Sequence, residues 1–389
     1  MRFLHTSDWQ LGMTRHFLGA GDQATFAQAR LDAVVRLADV ARDRGCAFVV
    51  VAGDVFETNQ PDRRTVGRAL DALRTFNVPV YLLPGNHDPY DPGSVYRSAA
   101  WREGCPDLVR VLDDDRPRIP VPGVEVVGAP WTSKRPVTDL VAETCAALPA
   151  DGSLRVVVGH GPADLVSGDF GQPGAVRVAA LEAAIAAGRV SHVALGDRHS
   201  TSAVGDTGRI WYAGAPEPTS YREEDAGNAL VVDLAPLVAA GSGPARAAAR
   251  PAVERVPVGR WRFQEVHGDV QDDADLAELF AVLDSLPDKA RTIVKVKVAG
   301  TLTLRQAARL EEGLEAREHV LGALEHPERH LDVTVVPDAD DLAALSLTGY
   351  AATARDRLLA RAHRDEESEA RGATDALGLL VRLTTGGTR

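Results

Sequence analysis

The chain has 389 residues, 45% hydrophobic and 25% charged, ordinary globular values that exclude wholesale disorder and fibrous classes. Such a length exceeds one typical domain and predicts two or three. Its 43 basic against 55 acidic residues leave a net charge of −12. That balance excludes a generic basic nucleic-acid coat, though not local phosphate binding through metals or a basic patch.

Apolar runs predict strands over Arg2–His5, Ala47–Ala52, Val78–Leu83, Val124–Val127, Leu154–Val158, Ser191–Leu195, Ile210–Ala213 and Ala229–Asp233. Helical spacing predicts helices over Gln23–Arg44, Asp62–Phe76 and Ala180–Ala187. Valine-rich strands separated by helices argue for buried sheets in an α/β layer arrangement. The Gly/Ala/Pro-rich stretch from Pro236 to Pro251 reads as a loop or linker. Beyond it a small α+β domain is expected: strand Arg262–His267, helix Ala274–Leu286, strand Thr292–Val298, helix Leu304–Arg317 and strand Leu331–Val336. From about Tyr350 an Arg/Glu-rich helical tail leads to the apolar run ALGLLVRL. The expected domains are therefore 1–235, 252–345 and a tail over 346–389.

Cys46, Cys105 and Cys145 lie far apart with no CxxC pairing, which argues against a disulfide framework or zinc ribbon and for a reducing compartment. The N-terminus, MRFLHTSDWQ, lacks the longer apolar core of a secretory signal, and no run reaches the roughly 18 residues of a membrane span. A soluble, cytoplasmic protein with no membrane partner is expected.

Several predicted strands end in the same kind of turn: Ser7-Asp8-Trp9-Gln10, Gly53-Asp54, Gly85-Asn86-His87-Asp88, Gly159-His160-Gly161 and Gly196-Asp197-Arg198-His199. The carboxyl ends of buried strands are where α/β layers place active sites, and glycine permits sharp turns and close backbone approach. Carboxylate, amide and imidazole together suit divalent ions such as Mn²⁺, Mg²⁺, Fe²⁺ or Zn²⁺. Two such ions about 3.5–4 Å apart can bind the non-bridging oxygens of a phosphodiester and offset the charge of in-line attack.

In their order and spacing these motifs resemble the calcineurin-type metallophosphoesterase family. More closely, HTSDWQLG, AGDVFE, PGNHD, ALGDRHS and YAGAPEPTSYREED resemble its SbcD-type DNA double-strand-break nuclease subunits. Motifs carry the likeness over about 1–235; over about 250–345 it is architectural, in the position of that family's capping domain. The resemblance implies a two-sheet sandwich flanked by helices and a dinuclear site, with manganese the foremost ion. One ion would be held by Asp8, Gln10, Asp54 and His199, the other by Asp54, Asn86, His160 and Asp197, with Asp54 bridging. His87 would be the acid that steadies or protonates the leaving oxygen. Family members usually carry histidine where this chain has Gln10 and Asp197. Gln10 offers a neutral amide oxygen and Asp197 an added negative charge, which favours harder, oxygen-loving ions.

The function implied is a metal-dependent DNA exo- or endonuclease subunit in repair, working as a homodimer with an SbcC-like coiled-coil ATPase. The alternatives are a phosphoesterase acting on a small phosphodiester or nucleotide, and a catalytically weakened scaffold for the ATPase. Among the other polar residues, His5 and His192 read as satisfied core histidines, and Glu57 as a surface group or a support to the ligands. His16 reads as a loop residue, and His319, His326 and His330 as surface. Arg198 reads equally as a phosphate contact or a partner to a carboxylate. Lys295 and Lys297 could line a phosphate path or simply protect an exposed strand face. The helix Gln23–Arg44 reads as a packing helix more than a dimer surface. The apolar tail could dock on the ATPase or return to its own domain.

Overall fold

The computed structural model describes residues 1–167, 174–234, 251–326, 331–336, 349–362, 372–373 and 376–377. The Gly/Ala/Pro-rich stretch 236–250, His330 and nearly all of the apolar C-terminal run lie outside them. The chain divides into two compact units, Met1–Trp261 and Arg262–Arg389.

The strands of the first unit are β1 (Arg2–Thr6), β2 (Val49–Val51), β3 (Val80–Leu82), β4 (Val109–Val111), β5 (Arg118–Val121), β6 (Val124–Gly128), β7 (Leu154–His160), β8 (His192–Gly196), β9 (Ser202–Val204), β10 (Ile210–Tyr212), β11 (Asn228–Asp233) and β12 (Ala252–Pro257). Its helices are α1 (Ala20–Asp43), α2 (Arg63–Leu73), α3 (Ala99–Gly104), α4 (Leu140–Ala147), α5 (Asp164–Ser167) and α6 (Val178–Ala186). One sheet runs β12-β11-β1-β2-β3-β4 and the other β5-β6-β7-β8-β10-β9. Alternation along each strand builds the layers. In β2, Val50 points inward with Phe3, Phe48, Val156, Val158 and Ala194, so residues of both sheets share one core. Val49 and Val51 point outward beneath α1 and α2, where they meet Leu31, Val34, Leu37 and Leu70. On the far side α4 and α6 cover the second sheet through Val141, Cys145, Leu181 and Ile185. The result is the expected two-sheet sandwich flanked by helices.

The expected domain boundary moves. Residues 252–257 do not join the small domain as expected: β12 extends the first sheet, pairing antiparallel with all of β11 from Asn228↔Pro257 to Asp233↔Ala252. The division falls after Trp261 instead.

In the second unit β13 (Arg262–Val270) and β14 (Thr292–Leu302) pair in parallel, and β14 also carries β15 (Ala323–Glu325) and β16 (Leu331–Val335) in parallel. Helices α7 (Asp273–Ser285) and α8 (Leu304–Glu318) make the crossovers and bury Leu276, Leu283, Leu310 and Leu314 against Val294, Val296 and Val298. Both helices start at a capping box, Asp272 with Asp275 and Thr303 with Gln306. Lys295 and Lys297 both pair with Glu265 of β13, at 3.8 and 2.6 Å, so one carboxylate serves both lysines on this strand face. The tail includes α9 (Tyr350–Ala362). Among the described residues no helix is long and apolar enough to cross a membrane.

His5 and His192 lie fully buried between the sheets of the first unit, ring centroids 6.3 Å apart. They are core residues, as expected, but not satisfied ones. His5 reaches the Leu195 carbonyl at 3.2 Å, while its Nδ1 and both nitrogens of His192 have no hydrogen-bond partner. Burial pushes His5 from the ordinary 6.5 down to about 3, against that hydrogen bond, and pushes His192 well below its usual value. In the unfolded chain these imidazoles take up protons below about 6.5. The folded chain resists until much lower pH, so stability is complete above 6.5 and drains as pH falls. For His5 alone the loss from pH 7 to pH 5 is about 2 kcal/mol. Thermal unfolding at both pH values checks this: His5→Gln, which keeps a donor for Leu195, should show a smaller acid-induced loss than wild type. An identical loss in the two proteins would assign the acid sensitivity elsewhere.

Candidate metal centre

All five polar turns meet at one rim of the sandwich. The parallel strands β1, β2 and β3 bring Asp8, Gln10, Asp54, Asn86 and His87, while β7 and β8 bring His160, Asp197 and His199. Backbone bonds lace the turns together: Asp8 N donates to Gly53 O at 3.0 Å, Gln10 N to Asp54 O at 3.0 Å and Gly161 N to Gly196 O at 3.2 Å. Asp8, Gln10, Asp54 and Asp197 have φ of 53°, 50°, 54° and 96°; among the described residues only Asp288 joins them as a non-glycine with positive φ. Such backbone is costly and persists where the surroundings impose it, typically at functional sites. Two glycines make room. A Cβ on Gly53 would lie 2.1 Å from His160 Nδ1, and one on Gly85 would lie 2.2 Å from Asp54 Oδ1.

Asp8, Asp54 and His160, all buried, each offer an atom within 4.8 Å of the others. His160 Nδ1 faces the Ala52 carbonyl at 2.8 Å, so it carries a proton and donates. Its Nε2 lies 2.7 Å from Asn86 Oδ1, 3.5 Å from Asp54 Oδ1 and 3.8 Å from Asp197 Oδ1. Burial opposes a charged imidazole here, but Asp54 and the other carboxylates outweigh it and hold His160 up to about 10. Burial would raise Asp54, but the charged His160 imidazole outweighs it and holds Asp54 down to about 2. Asp8 is lifted by burial to about 6, although His199 and His160 pull the other way, and it accepts Asp197 N at 3.1 Å. A cation at His160 Nε2 would displace a proton, so loading and deprotonation are linked.

Gln10 gives the clearest test of fit. Its Nε2 donates to Asp54 Oδ2 at 3.0 Å, while its Oε1 is buried with no hydrogen-bond partner. An unpaired buried acceptor is costly. Next to the Asp54 carboxylate it is the kind of oxygen a hard cation takes, and the residues present fit such an ion.

His87 stands at the edge with its side chain 40% exposed. Its backbone N donates to Asp54 Oδ1 at 3.0 Å, and its Nδ1 lies 2.9 Å from the Glu57 carbonyl. A carbonyl only accepts, so Nδ1 bears a proton and Nε2 is the end left for chemistry. Glu57 thus joins the site through its backbone. Arg198 forms no ion pair with a described carboxylate, and its Nε is buried without a hydrogen-bond partner. His16 is exposed and stacks edge-on against Phe17.

Three supporting groups escape the sequence reasoning. Asp88 is fully buried and accepts Gly85 N at 2.8 Å, Phe56 N at 3.1 Å and Tyr96 Oη–H at 2.6 Å, tying the Asp54 turn to the Asn86 turn. Trp131 donates Nε1 to His160 O at 2.8 Å. Glu223 sits 2.9 Å from His199 Nδ1. Asp88 and Glu223 lie inside PGNHD and YAGAPEPTSYREED, so motif membership is the signal that points to them.

The description "calcineurin-like phosphoesterase" belongs to the family model that matches residues 1–200. The chain belongs to this family. Its curated relatives include the DNA double-strand break repair protein Mre11 of Sulfolobus acidocaldarius, 28% identical over 144 residues, which are 36% of this chain and 36% of that protein. The SbcD component of the SbcCD nuclease from Rhodobacter capsulatus is 28% identical over 336 residues, covering 75% of this chain and 78% of that one. Its counterpart in Escherichia coli K12 is 37% identical over 91 residues, covering 23% and 21%. The chain spans about a third or less of the Mre11 proteins it matches. Membership of a phosphoesterase family implies divalent ions, and the resemblance seen in the motifs is borne out.

Proposed function

We propose that this phosphoesterase is the nuclease subunit of a DNA-repair enzyme, hydrolysing phosphodiester bonds with two divalent cations, manganese foremost. The reading rests on the convergence of Asp8, Asp54 and His160 at one buried point, with Asn86, Asp197 and His199 around it. Relatives named as nuclease and break-repair proteins supply the substrate class.

One cation is assigned to Asp8, Gln10, Asp54 and His199, the other to Asp54, Asn86, His160 and Asp197, Asp54 serving both. Such ions supply Lewis-acid polarisation of the phosphoryl group and compensate its charge. The chain's own part is threefold. Three carboxylates would repel a phosphodiester, so they make cations a condition of binding it. The laced turns hold the ligands rigidly, so little reorganisation remains for the reaction. His87, its Nδ1 proton committed to Glu57 O, can hand a proton from Nε2 to the leaving oxygen. A homodimer, a cytoplasmic setting and a coiled-coil ATPase partner belong to the same reading, with α9 and the tail as the ATPase contact.

The amide of Gln10, turned toward Asp54, favours the weakened scaffold as a second reading, since it occupies a carboxylate oxygen the first cation needs. Incubation of the metal-loaded chain with linear DNA and with a chromogenic aryl phosphodiester separates these. Cleavage of both, abolished by a chelator, is the expected result. Cleavage of the small diester alone, even with the ATPase added, would point to a small-molecule phosphoesterase. Loss of both activities in a chain that still binds manganese would leave the scaffold.

A further inference from the structure

We infer that Glu223 is the positioning residue that aims His199 at its cation, an inference that rests on reading His199 as a ligand. Glu223 is nearly enclosed, its side chain 6% exposed, and both carboxylate oxygens are engaged. Oε2 accepts Thr219 N at 2.8 Å, while Oε1 takes the Thr219 hydroxyl and His199 Nδ1–H, the latter at 2.9 Å. His199 Nδ1 also lies 2.7 Å from the Thr219 hydroxyl oxygen, itself held by Glu223, so the Nδ1 proton is directed to this carboxylate-anchored pair and Nε2 is the nitrogen presented toward Asp8, whose Oδ1 lies 3.9 Å away. A carboxylate on the far side of a ligating imidazole fixes its tautomer and ring orientation and raises its basicity.

The surrounding loop has anchors besides Glu223. Arg15 Nε donates to Thr219 O at 3.1 Å, and the buried Arg30 donates to Pro218 O at 2.9 Å and Glu217 O at 3.3 Å. Glu217 is itself bound by Arg36 and by the backbone N–H groups of Arg260 and Trp261. Arg15, Arg30 and Arg36 therefore anchor the loop alongside Glu223, and these holds remain when the Glu223 carboxylate is removed. Asp54 and His160 are held by other groups, the His87 N–H and the Ala52 carbonyl, so the consequence should reach one cation only.

Manganese titration of the full chain by calorimetry, with thermal unfolding of the metal-free proteins alongside, tests this. Glu223→Ala should weaken one of two manganese affinities by roughly 10–100-fold and leave the other unchanged. Glu223→Gln, which keeps an acceptor oxygen for Nδ1–H, should fall between wild type and Ala. His199→Ala is the control for the underlying reading. If it binds manganese like wild type, the ligand assignment of His199 fails whatever Glu223 does. If His199→Ala loses an ion while both Glu223 variants keep wild-type affinities, the positioning role is overturned. Should Glu223→Ala unfold, the Gln variant decides: unchanged affinity overturns the inference, and weakening confined to one ion upholds it.

Discussion

Asp54→Asn is expected to remove both cations and to lower phosphodiester cleavage on the order of 10³-fold, a loss of several kcal/mol of transition-state stabilisation. The position explains the size of the effect. Asp54 Oδ1 accepts His87 N and lies 3.5 Å from His160 Nε2, while Oδ2 accepts Gln10 Nε2, so one carboxylate touches both proposed ligand sets. Asparagine preserves the shape and an acceptor for His87 N but lacks the charge. Asp8→Asn should mainly weaken one ion, because Asp8 faces His199 and the Asp197 backbone. Elemental analysis after manganese loading separates the two variants, and full metal content in Asp54→Asn would sink the bridging assignment.

His87→Ala is expected to keep both cations and to lose roughly 10²–10⁴-fold in cleavage, the usual range for a missing general acid. Only its backbone N touches Asp54, and that group survives the substitution. The side chain instead leans on Glu57 O and exposes Nε2. The loss should depend on the leaving group. A nitrophenolate leaves readily without a proton, so a chromogenic diester should suffer less than a nucleotide diester, whose alkoxide needs one. Equal rates in variant and wild type on the nucleotide diester would remove His87 from the proton path.

The candidate ligand positions were legible because local chain chemistry suffices to place them. An apolar run long enough for a buried strand, followed by glycine and a carboxylate, amide or imidazole, puts that side chain at a sheet's carboxyl end whatever lies elsewhere. Asp54, Asn86 and His160 follow that pattern directly. Most of the strands and the main helices follow from composition and periodicity in the same way.

Tertiary structure decided what depends on groups far apart in the chain. The Asp197 N–H finds Asp8 across 189 positions, and His160 finds Ala52 O across 108. Gln10 turns its nitrogen to Asp54 and leaves its oxygen unpaired, a choice made by the neighbouring carboxylate and not by residue type. Strand β12 joined the first sheet because β11 presented an edge to it, which moved the domain boundary from 252 to 262. Periodicity reports which face of a segment is apolar; it carries no information about which distant partner will supply a hydrogen bond. The sequence therefore determined the layers and the candidate ligands, and only packing determined their tautomers, their supports and the partner strand at the sheet's edge.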